Sequence, residues 1–366
     1  MDQARPTTGP TRYDLDRAAL RGVVEQVDPD APRYRVGQLW DGMHKRLLDP
    51  AELTDLPRPL RAALSGHPAL APALEPDDER VSDDGQTIKW VWRLSDGARV
   101  ETVLMHYPGR STVCVSTQAG CAMGCSFCAT GQAGFDRHLR MGEIVEQVAR
   151  AARRSAQDGR RLSRVVFMGM GEPLANYDAT WGAIERLQGD LGLSARHLTV
   201  STVGVVPGIR RLAGEALPVN LAVSLHAADD ATRDELVPLN RRYPLAMLAD
   251  ACRDYLAAKG RRLSFEWALI DGVNDRPGDA AALAAYSRPL AAHVNLIPLN
   301  PTPGYATVGS PPERVRAFRE ELRSLGVNVT VRQTRGRDID GACGQLAARR
   351  PATSTGHVRL LPRAGR

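Results

Sequence analysis

The chain has 366 residues, 43% of them hydrophobic and 25% charged, and a formal net charge of +6 at pH 7. That is enough apolar material for a sizeable core, while no apolar run approaches the ~20 residues of a membrane-spanning helix and the first residues hold no apolar signal region, so a cytoplasmic location without membrane attachment is expected. In a reducing compartment six cysteines point to metal binding or catalysis rather than stapling, and the mild positive charge favours a polyanionic partner such as RNA only a little, since the scarcity of lysine (Lys45, Lys89 and Lys259) also fits GC-rich coding.

Residues 1–15 are polar and rich in Pro and Thr, and disorder is expected there. From 16 to 75 the apolar residues take helical spacing, with Leu20, Val23 and Val24 in one segment and Leu39, Met43 and Leu47 in another, which predicts a small helical module. Residues 76–85 are acidic and read as a linker. The β-rich runs 87–94 and 98–105 flank Ser95-Asp96-Gly97, so the segment 76–106 ends in a β-hairpin. Beyond it, candidate strands at 111–116, 164–169, 197–201, 219–225, 263–269, 292–298 and 327–333 alternate with helical stretches near 140–157, 178–192, 244–259, 277–290 and 312–325. Alternation of this kind predicts an α/β fold with a parallel sheet and right-handed crossovers. Six strand–helix units are too few for an eight-stranded barrel, so an open, partial (β/α)6 barrel is expected over 107–346, with ligands at the C-terminal ends of its strands. Residues 347–366, with Arg349, Arg350, Arg359, Arg363 and Arg366 among Pro, Thr and Gly, read as a flexible basic tail.

The most informative run follows the first of these strands: Cys121-Ala-Met-Gly-Cys125-Ser-Phe-Cys128. Three thiolates so close cannot all pair as disulfides. They suit an iron–sulfur cluster, and three cysteines on a four-iron cluster leave one iron open for reaction. A zinc knuckle with a distant fourth ligand is the alternative, although zinc sites usually show paired CxxC units. Other polar residues fall at predicted strand ends: Gly169-Met170-Gly171-Glu172 after the second, Ser201 after the third, Ser224-Leu225-His226 at the fourth and Asn300 after the sixth. Each alone is an ordinary cap or turn former. Cys114 lies on the first strand, where a core thiol is the usual case, and Cys343 lies in a polar Gly/Asp-rich loop where exposure favours reactivity. Cys252 reads as a helix residue without a role. Glu101, on the hairpin, reads from its surroundings as a solvent-facing carboxylate.

The stretch from Cys114 to Phe135 resembles the cluster loop of radical S-adenosylmethionine (SAM) enzymes. Three runs sharpen the likeness: Cys114-Val-Ser-Thr-Gln-Ala-Gly-Cys121, Gly169-Met-Gly-Glu-Pro-Leu174 and Asp338-Ile-Asp-Gly-Ala-Cys-Gly-Gln-Leu346. Together, and over nearly the whole chain, they resemble the radical SAM dual-specificity methyltransferases that act on adenine carbon 2 in 23S rRNA and in the anticodon loop of tRNA. Gly341, where the family more often has Ala, and Arg337, where an acidic residue is commoner, are departures.

The resemblance implies a partial barrel of the radical SAM type and a 4Fe-4S cluster on Cys121, Cys125 and Cys128. It implies a SAM shell drawn from Gly171, Glu172, Ser201, Ser224, Leu225, His226 and Asn300, with two SAM consumed per turnover. It also implies that Cys343 carries a methyl group and joins it to the base as a covalent protein–RNA adduct, that Glu101 accepts the carbon-2 proton, and that Cys114 resolves the adduct through a transient Cys114–Cys343 disulfide. An electron donor of the flavodoxin or ferredoxin type is expected, and a monomer is the default. RNA contacts are sought in the 16–75 module, Lys45-Arg46, Arg137 to Arg140, Arg153-Arg154, Arg160-Arg161, Arg164 and the tail, with the target base flipped out or unpaired. Three alternatives remain open on sequence: a carbon-8 methyltransferase of the same ribosomal adenosine, a non-catalytic RNA-binding protein with a structural metal, and a radical SAM enzyme acting on a protein or small molecule.

Overall fold

The computed structural model describes residues 9–302, 308–333 and 335–346. The expected disorder of residues 1–8 and the basic tail at 347–366 lie outside them. Residues 9–15, expected to be disordered, are packed instead. Arg12 is buried against Glu146 (2.9 Å) and also pairs with Asp49, while Tyr13 and Leu15 join the core. Partners far along the chain compensate the buried guanidinium, and local composition cannot announce them.

Three helices follow: α1 (Arg17–Val27), α2 (Tyr34–His44) and α3 (Arg58–Ser65). The Asp16 side chain caps α1 by accepting from the Ala19 N–H at 2.7 Å. Leu20, Val23 and Val24 of α1, Leu39, Trp40 and Met43 of α2, and Leu60 and Leu64 of α3 form one apolar cluster. Burial contributes roughly 1.5–3 kcal/mol for each such large side chain.

His44 is part of this packing, with its ring stacked on Trp40 at 4.0 Å and Nδ1 3.1 Å from the Trp40 carbonyl. Burial pushes its pKa down to about 4. Since the unfolded imidazole takes a proton near 6.5, the unfolded chain binds more protons between pH 6.5 and about 4. Stability is therefore full above pH 6.5 and falls as pH drops through that window, by at most about 1.4 kcal/mol per pH unit from this one group. Urea midpoints at pH 7, 6 and 5 should decline, and less steeply in His44→Leu.

Next come β1 (Glu75–Val81), β2 (Thr87–Arg93), β3 (Arg99–Tyr107) and β4 (Arg110–Cys114), an antiparallel meander. The acidic run read as a linker is thus largely a strand. It lies at the sheet edge, and arginines hold its carboxylates: Arg93 to Glu75 at 2.9 Å, Arg99 to Asp77 at 2.7 Å and Arg154 to Glu79 at 2.7 Å. Charge on an edge strand also discourages pairing with other chains.

The small hairpin β5 (Gln118–Gly120) and β6 (Phe135–His138) brackets the cysteine loop and the short helix α4 (Ala129–Ala133). The alternation then runs α5 (Met141–Gln157), β7 (Leu162–Phe167), α6 (Tyr177–Gly189), β8 (Leu198–Thr202), α7 (Val206–Gly214), β9 (Asn220–Ser224), α8 (Asp230–Leu236), α9 (Leu245–Lys259), β10 (Leu263–Leu269), α10 (Asp279–Ser287), β11 (His293–Pro298), α11 (Pro312–Ser324) and β12 (Val329–Val331). From β4 through β7 to β12 every neighbouring pair is parallel, and the ten-stranded sheet stays open, in the order β1-β2-β3-β4-β7-β8-β9-β10-β11-β12. The radical SAM type of partial barrel is therefore the observed fold. Apolar residues on both faces of strands such as β9, where Leu221, Ala222 and Val223 are all buried, reflect helices packed outside and filled space inside. The short helices α7 and α8 were not foreseen. No helix among the described residues is long and apolar enough to cross a membrane.

The segment after β12 returns to the far end of the sheet. The Asp83 N–H donates to the Asp338 carboxylate at 2.8 Å, and the Lys89 ammonium donates to the Asp340 carbonyl at 3.2 Å. The Cys343 loop thus bridges the last parallel strand and the β1–β2 hairpin, across the gap an open barrel leaves.

Candidate active site

The C-terminal ends of the parallel strands surround a cavity of about 160 Å³. Cys121, Cys125 and Cys128 reach its wall from the loop after β4, Gly171 and Glu172 from that after β7, Ser201 from β8, Ser224 and His226 from the end of β9, and Asn300 from beyond β11. Leu225 does not line it. Lying between two lining residues, its side chain turns into the hydrophobic core, and its backbone is engaged within the protein: its N–H donates to the Glu266 carbonyl at 3.0 Å and its carbonyl accepts from Arg233 Nε at 3.0 Å.

The three cysteines fit an iron–sulfur cluster. They are free thiols on one cavity wall. Burial pushes Cys121 up to about 11 and Cys125 well above the ordinary thiol value, and the charge of neighbouring thiols pushes further. Three thiolates this close, one of them buried and two partly so, repel one another, so the set demands a cationic group. Among the described residues no three His, Cys, Asp or Glu side chains converge tightly enough for a single ion. A Cβ at Gly131 would sit 3.1 Å from both the Cys125 nitrogen and oxygen, closer than an ordinary contact, so glycine here favours the close wrapping of the loop.

Glu172 sits at the cavity floor. Its carboxylate accepts from the Val203 N–H at 2.8 Å and the Leu174 N–H at 3.0 Å, and its own N–H donates to Gln118 Oε1 at 2.8 Å. Burial lifts it to about 7 against those hydrogen bonds, so a cationic ligand such as an ammonium would restore its charge. Gly171 beside it has φ +96°, and a Cβ there would meet Gln118 at 2.5 Å, so only glycine lets this turn close. His226, also left-handed (φ 61°), accepts from the Ala268 N–H at Nδ1 (2.9 Å) and packs edge-on to Phe127. Burial lowers its pKa to about 3, so the ring is neutral.

Cys343 lines both this cavity and a smaller one of about 30 Å³, which Cys114 also lines. The two cysteines, distant in sequence, thus share one space. Burial first, then the charge of Cys343, pushes the Cys114 thiol up to about 12. Asn300 holds the Cys343 loop: its Nδ2 donates to the Cys343 carbonyl at 3.1 Å, and its Oδ1 accepts from Arg337 at 3.0 Å. Arg337 therefore fastens the loop. Gly341 would admit a Cβ at 3.4 Å or more from its neighbours, so an alanine fits there too.

Glu101 lines neither cavity. It is buried on β3, on the same strand face as Val103 and Met105, which line the smaller one. Its carboxylate lies 3.5 Å from the Lys89 ammonium, and its carbonyl accepts from Ser116 Oγ at 2.6 Å. It is not the solvent-facing carboxylate its surroundings in sequence implied.

Sequence reasoning passed over Arg332 and Glu266. Both line the main cavity, 3.8 Å apart. Negative charge at Cys343 raises the Arg332 pKa well above its ordinary value, against burial and with help from Glu266 and Cys114. Its place, one residue past the last parallel strand, was the available signal.

Five of the cations nominated for RNA already face carboxylates: Lys45 pairs with Asp41, Arg46 with Asp55, Arg137 with Glu143 and Asp96, Arg153 with Glu52, and Arg154 with Glu79. Exposed pairs such as Lys45–Asp41 and Arg46–Asp55 are worth about 0–1 kcal/mol, so phosphate can displace them cheaply, whereas Arg137 is partly buried and bound by two hydrogen bonds to the buried Glu143.

Residues 115–284 match the radical SAM superfamily. The chain is 54% identical, over 93% of its length and 92% of the relative's, to the "Probable dual-specificity RNA methyltransferase RlmN" of Parafrankia sp. (strain EAN1pec). It is 52% identical to the protein of the same name from Chloroflexus aurantiacus, over 92% of each chain. The crystal structure of a radical SAM methyltransferase from Sphaerobacter thermophilus superposes with a TM-score of 0.88 at 50% identity, covering 93% of this chain and all of that one.

Proposed function

The chain belongs to the radical SAM family of dual-specificity RNA methyltransferases, and on that premise we propose that it methylates carbon 2 of one adenosine in 23S rRNA and of an adenosine in the tRNA anticodon loop. The enzyme class, the 4Fe-4S cluster and the use of SAM come with the family. The observation that supports the methyl-cysteine route is the meeting of Cys343 with Cys114 in a small cavity that shares lining residues with the one lined by the three cluster cysteines.

Carbon 2 of adenine lies between two ring nitrogens, is electron-poor, and cannot attack a sulfonium methyl. A carbon radical can add to it. In the proposed sequence the Cys343 thiolate displaces the methyl of one SAM, forming a thioether and releasing the demethylated product. When bound, the cluster supplies the electron that cleaves a second SAM to an adenosyl radical and takes back the electron the RNA adduct later gives up. The Cys343 methyl loses one hydrogen atom to that radical, and its carbon bonds to carbon 2. Glu101 accepts the carbon-2 proton, and the C–H electron pair stays with the ring. Cys114 then attacks the Cys343 sulfur. The S–S bond forms as the S–C bond breaks, the released carbon takes a proton to become a methyl group, and reductants reopen the disulfide.

Glu172, Gly171, Ser201, Ser224 and His226 form the proposed SAM shell. Asn300 is placed to serve it only while also fastening the Cys343 loop. The 16–75 module and the displaceable arginines form the RNA surface. A flavodoxin- or ferredoxin-type donor, a cytoplasmic location and a monomer complete the reading. The helical module and the Arg335-Gly-Arg-Asp-Ile-Asp340 approach to Cys343 favour carbon 2 over carbon 8. Anaerobic incubation with labelled SAM and both RNAs, followed by nucleoside mass spectrometry, is expected to give 2-methyladenosine. 8-Methyladenosine would overturn the regiochemistry, and label in rRNA alone would overturn dual specificity.

A further inference from the structure

Of the three lysines only Lys89 is buried, and it faces both a buried carboxylate and the loop that carries Cys343. It lies on β2, two residues along from Val91, which pairs with Glu101 on β3. Its ammonium stands 3.5 Å from the Glu101 carboxylate and donates to the Asp340 carbonyl at 3.2 Å. Asp340 is three residues before Cys343 and holds a left-handed backbone (φ 53°), a conformation Asp tolerates better than most side chains. The turn around it is closed by the Gly341 N–H donating to the Gly336 carbonyl at 2.7 Å and is fastened to β1 by the Arg80–Asp340 pair at 3.8 Å.

We propose that Lys89 is a positioning residue: it holds the Glu101 carboxylate charged and aimed, and takes its own position from the loop that carries Cys343. This rests on the reading of Glu101 as base and Cys343 as methyl carrier. A carboxylate this buried tends to become neutral unless a cation faces it, and a neutral acid cannot accept the carbon-2 proton. An ammonium in the same interior needs compensation of its own, and here the carboxylate and one loop carbonyl share that task. Because that carbonyl belongs to the Cys343 loop, the base is in place only when the loop is docked. Proton removal is thereby tied to the presence of the sulfur whose methylene group has added to the base.

The test uses the reconstituted holoenzyme under anaerobic conditions with its RNA, and follows three quantities: methylated Cys343 formed without RNA, covalent protein–RNA adduct, and methylated nucleoside released. Lys89→Met removes charge and hydrogen bonds. Lys89→Gln keeps a donor for the Asp340 carbonyl but no charge. Both are expected to form methylated Cys343 within twofold of the native enzyme, to release product at least tenfold more slowly, and to accumulate adduct. Lys89→Arg is expected to recover at least part of the turnover. A merely structural lysine would instead depress methylated Cys343 and adduct together, and that result overturns the proposal, as does product release within twofold of native in both neutral variants. Glu101→Gln separates the premise from the inference. If it turns over at the native rate, the base assignment falls. If it accumulates adduct while the Lys89 variants do not, Lys89 alone loses its role.

Discussion

Cys343→Ala is expected to lower RNA methylation by roughly 10³-fold or more, as removal of an essential nucleophile does, while SAM cleavage to 5′-deoxyadenosine continues. The two outcomes separate because the groups involved sit on different walls. The cluster cysteines, Glu172 and the strand-end residues line the main cavity from elements other than the loop that adds Cys343 to it. The loop around Cys343 is held by backbone and neighbouring groups: Asn300 to the Cys343 carbonyl, the Ala129 N–H to the Gly344 carbonyl at 2.8 Å, and Thr130 Oγ1 to the Leu346 carbonyl at 2.5 Å. None of these bonds uses the sulfur, so the substitution deletes the methyl acceptor and leaves the cavity standing. With no thioether to supply a hydrogen atom, the adenosyl radical is quenched elsewhere, and cleavage becomes uncoupled from RNA. Liquid chromatography of the nucleosides, run beside a 5′-deoxyadenosine assay on the same sample, reads both quantities. Continued RNA methylation would remove Cys343 from the reaction.

The contrast between what the sequence announced and what it hid follows from where each side chain finds its partner. The parallel strands were legible because each is a short apolar run, buried on both faces and bounded by turn residues. The cluster loop was legible because its three ligands lie within eight residues of one another. The edge strand β1 was hidden, since its acidic residues are stabilised by Arg93, Arg99 and Arg154 from elsewhere in the chain. The packed segment at 9–15 was hidden for the same reason, as Arg12 finds Glu146 only after folding. Glu101 entered through resemblance alone, for its burial beside Lys89 is a product of β2–β3 pairing and of a loop more than two hundred positions away. Arg332 and Glu266 became visible only when seven strand ends met around one space. Leu225 shows the limit from the other side: a motif names three consecutive residues, but alternation along a strand end lets only two side chains face the cavity.

Cys114→Ala is expected to trap the enzyme on its RNA. In the proposed sequence nothing in Cys114 is needed for methylation of Cys343, for hydrogen abstraction or for bond formation to carbon 2, so those steps proceed and stop at the adduct. The trapped species should appear as a protein–RNA band stable to denaturant, at up to one RNA per chain, with product release reduced at least about 10²-fold. The structure gives this thiol a single accessible role. It is on β4, paired to Val103 of β3, and buried except toward the small cavity it shares with Cys343. Burial pushes it up to about 12, so as a free thiol it is a poor nucleophile at neutral pH. Arg332 favours its thiolate, and the negative charge at Cys343 opposes it. Once Cys343 carries a carbon substituent its sulfur is neutral and that opposition vanishes. Cys114 is therefore expected to gain nucleophilic character as soon as Cys343 is methylated, an order in which the resolving thiol is readied before the adduct forms. The order can be checked by alkylating the native protein with and without a methyl group on Cys343: methylation should speed modification of Cys114, and an unchanged or slower rate would show that the two sulfurs do not communicate.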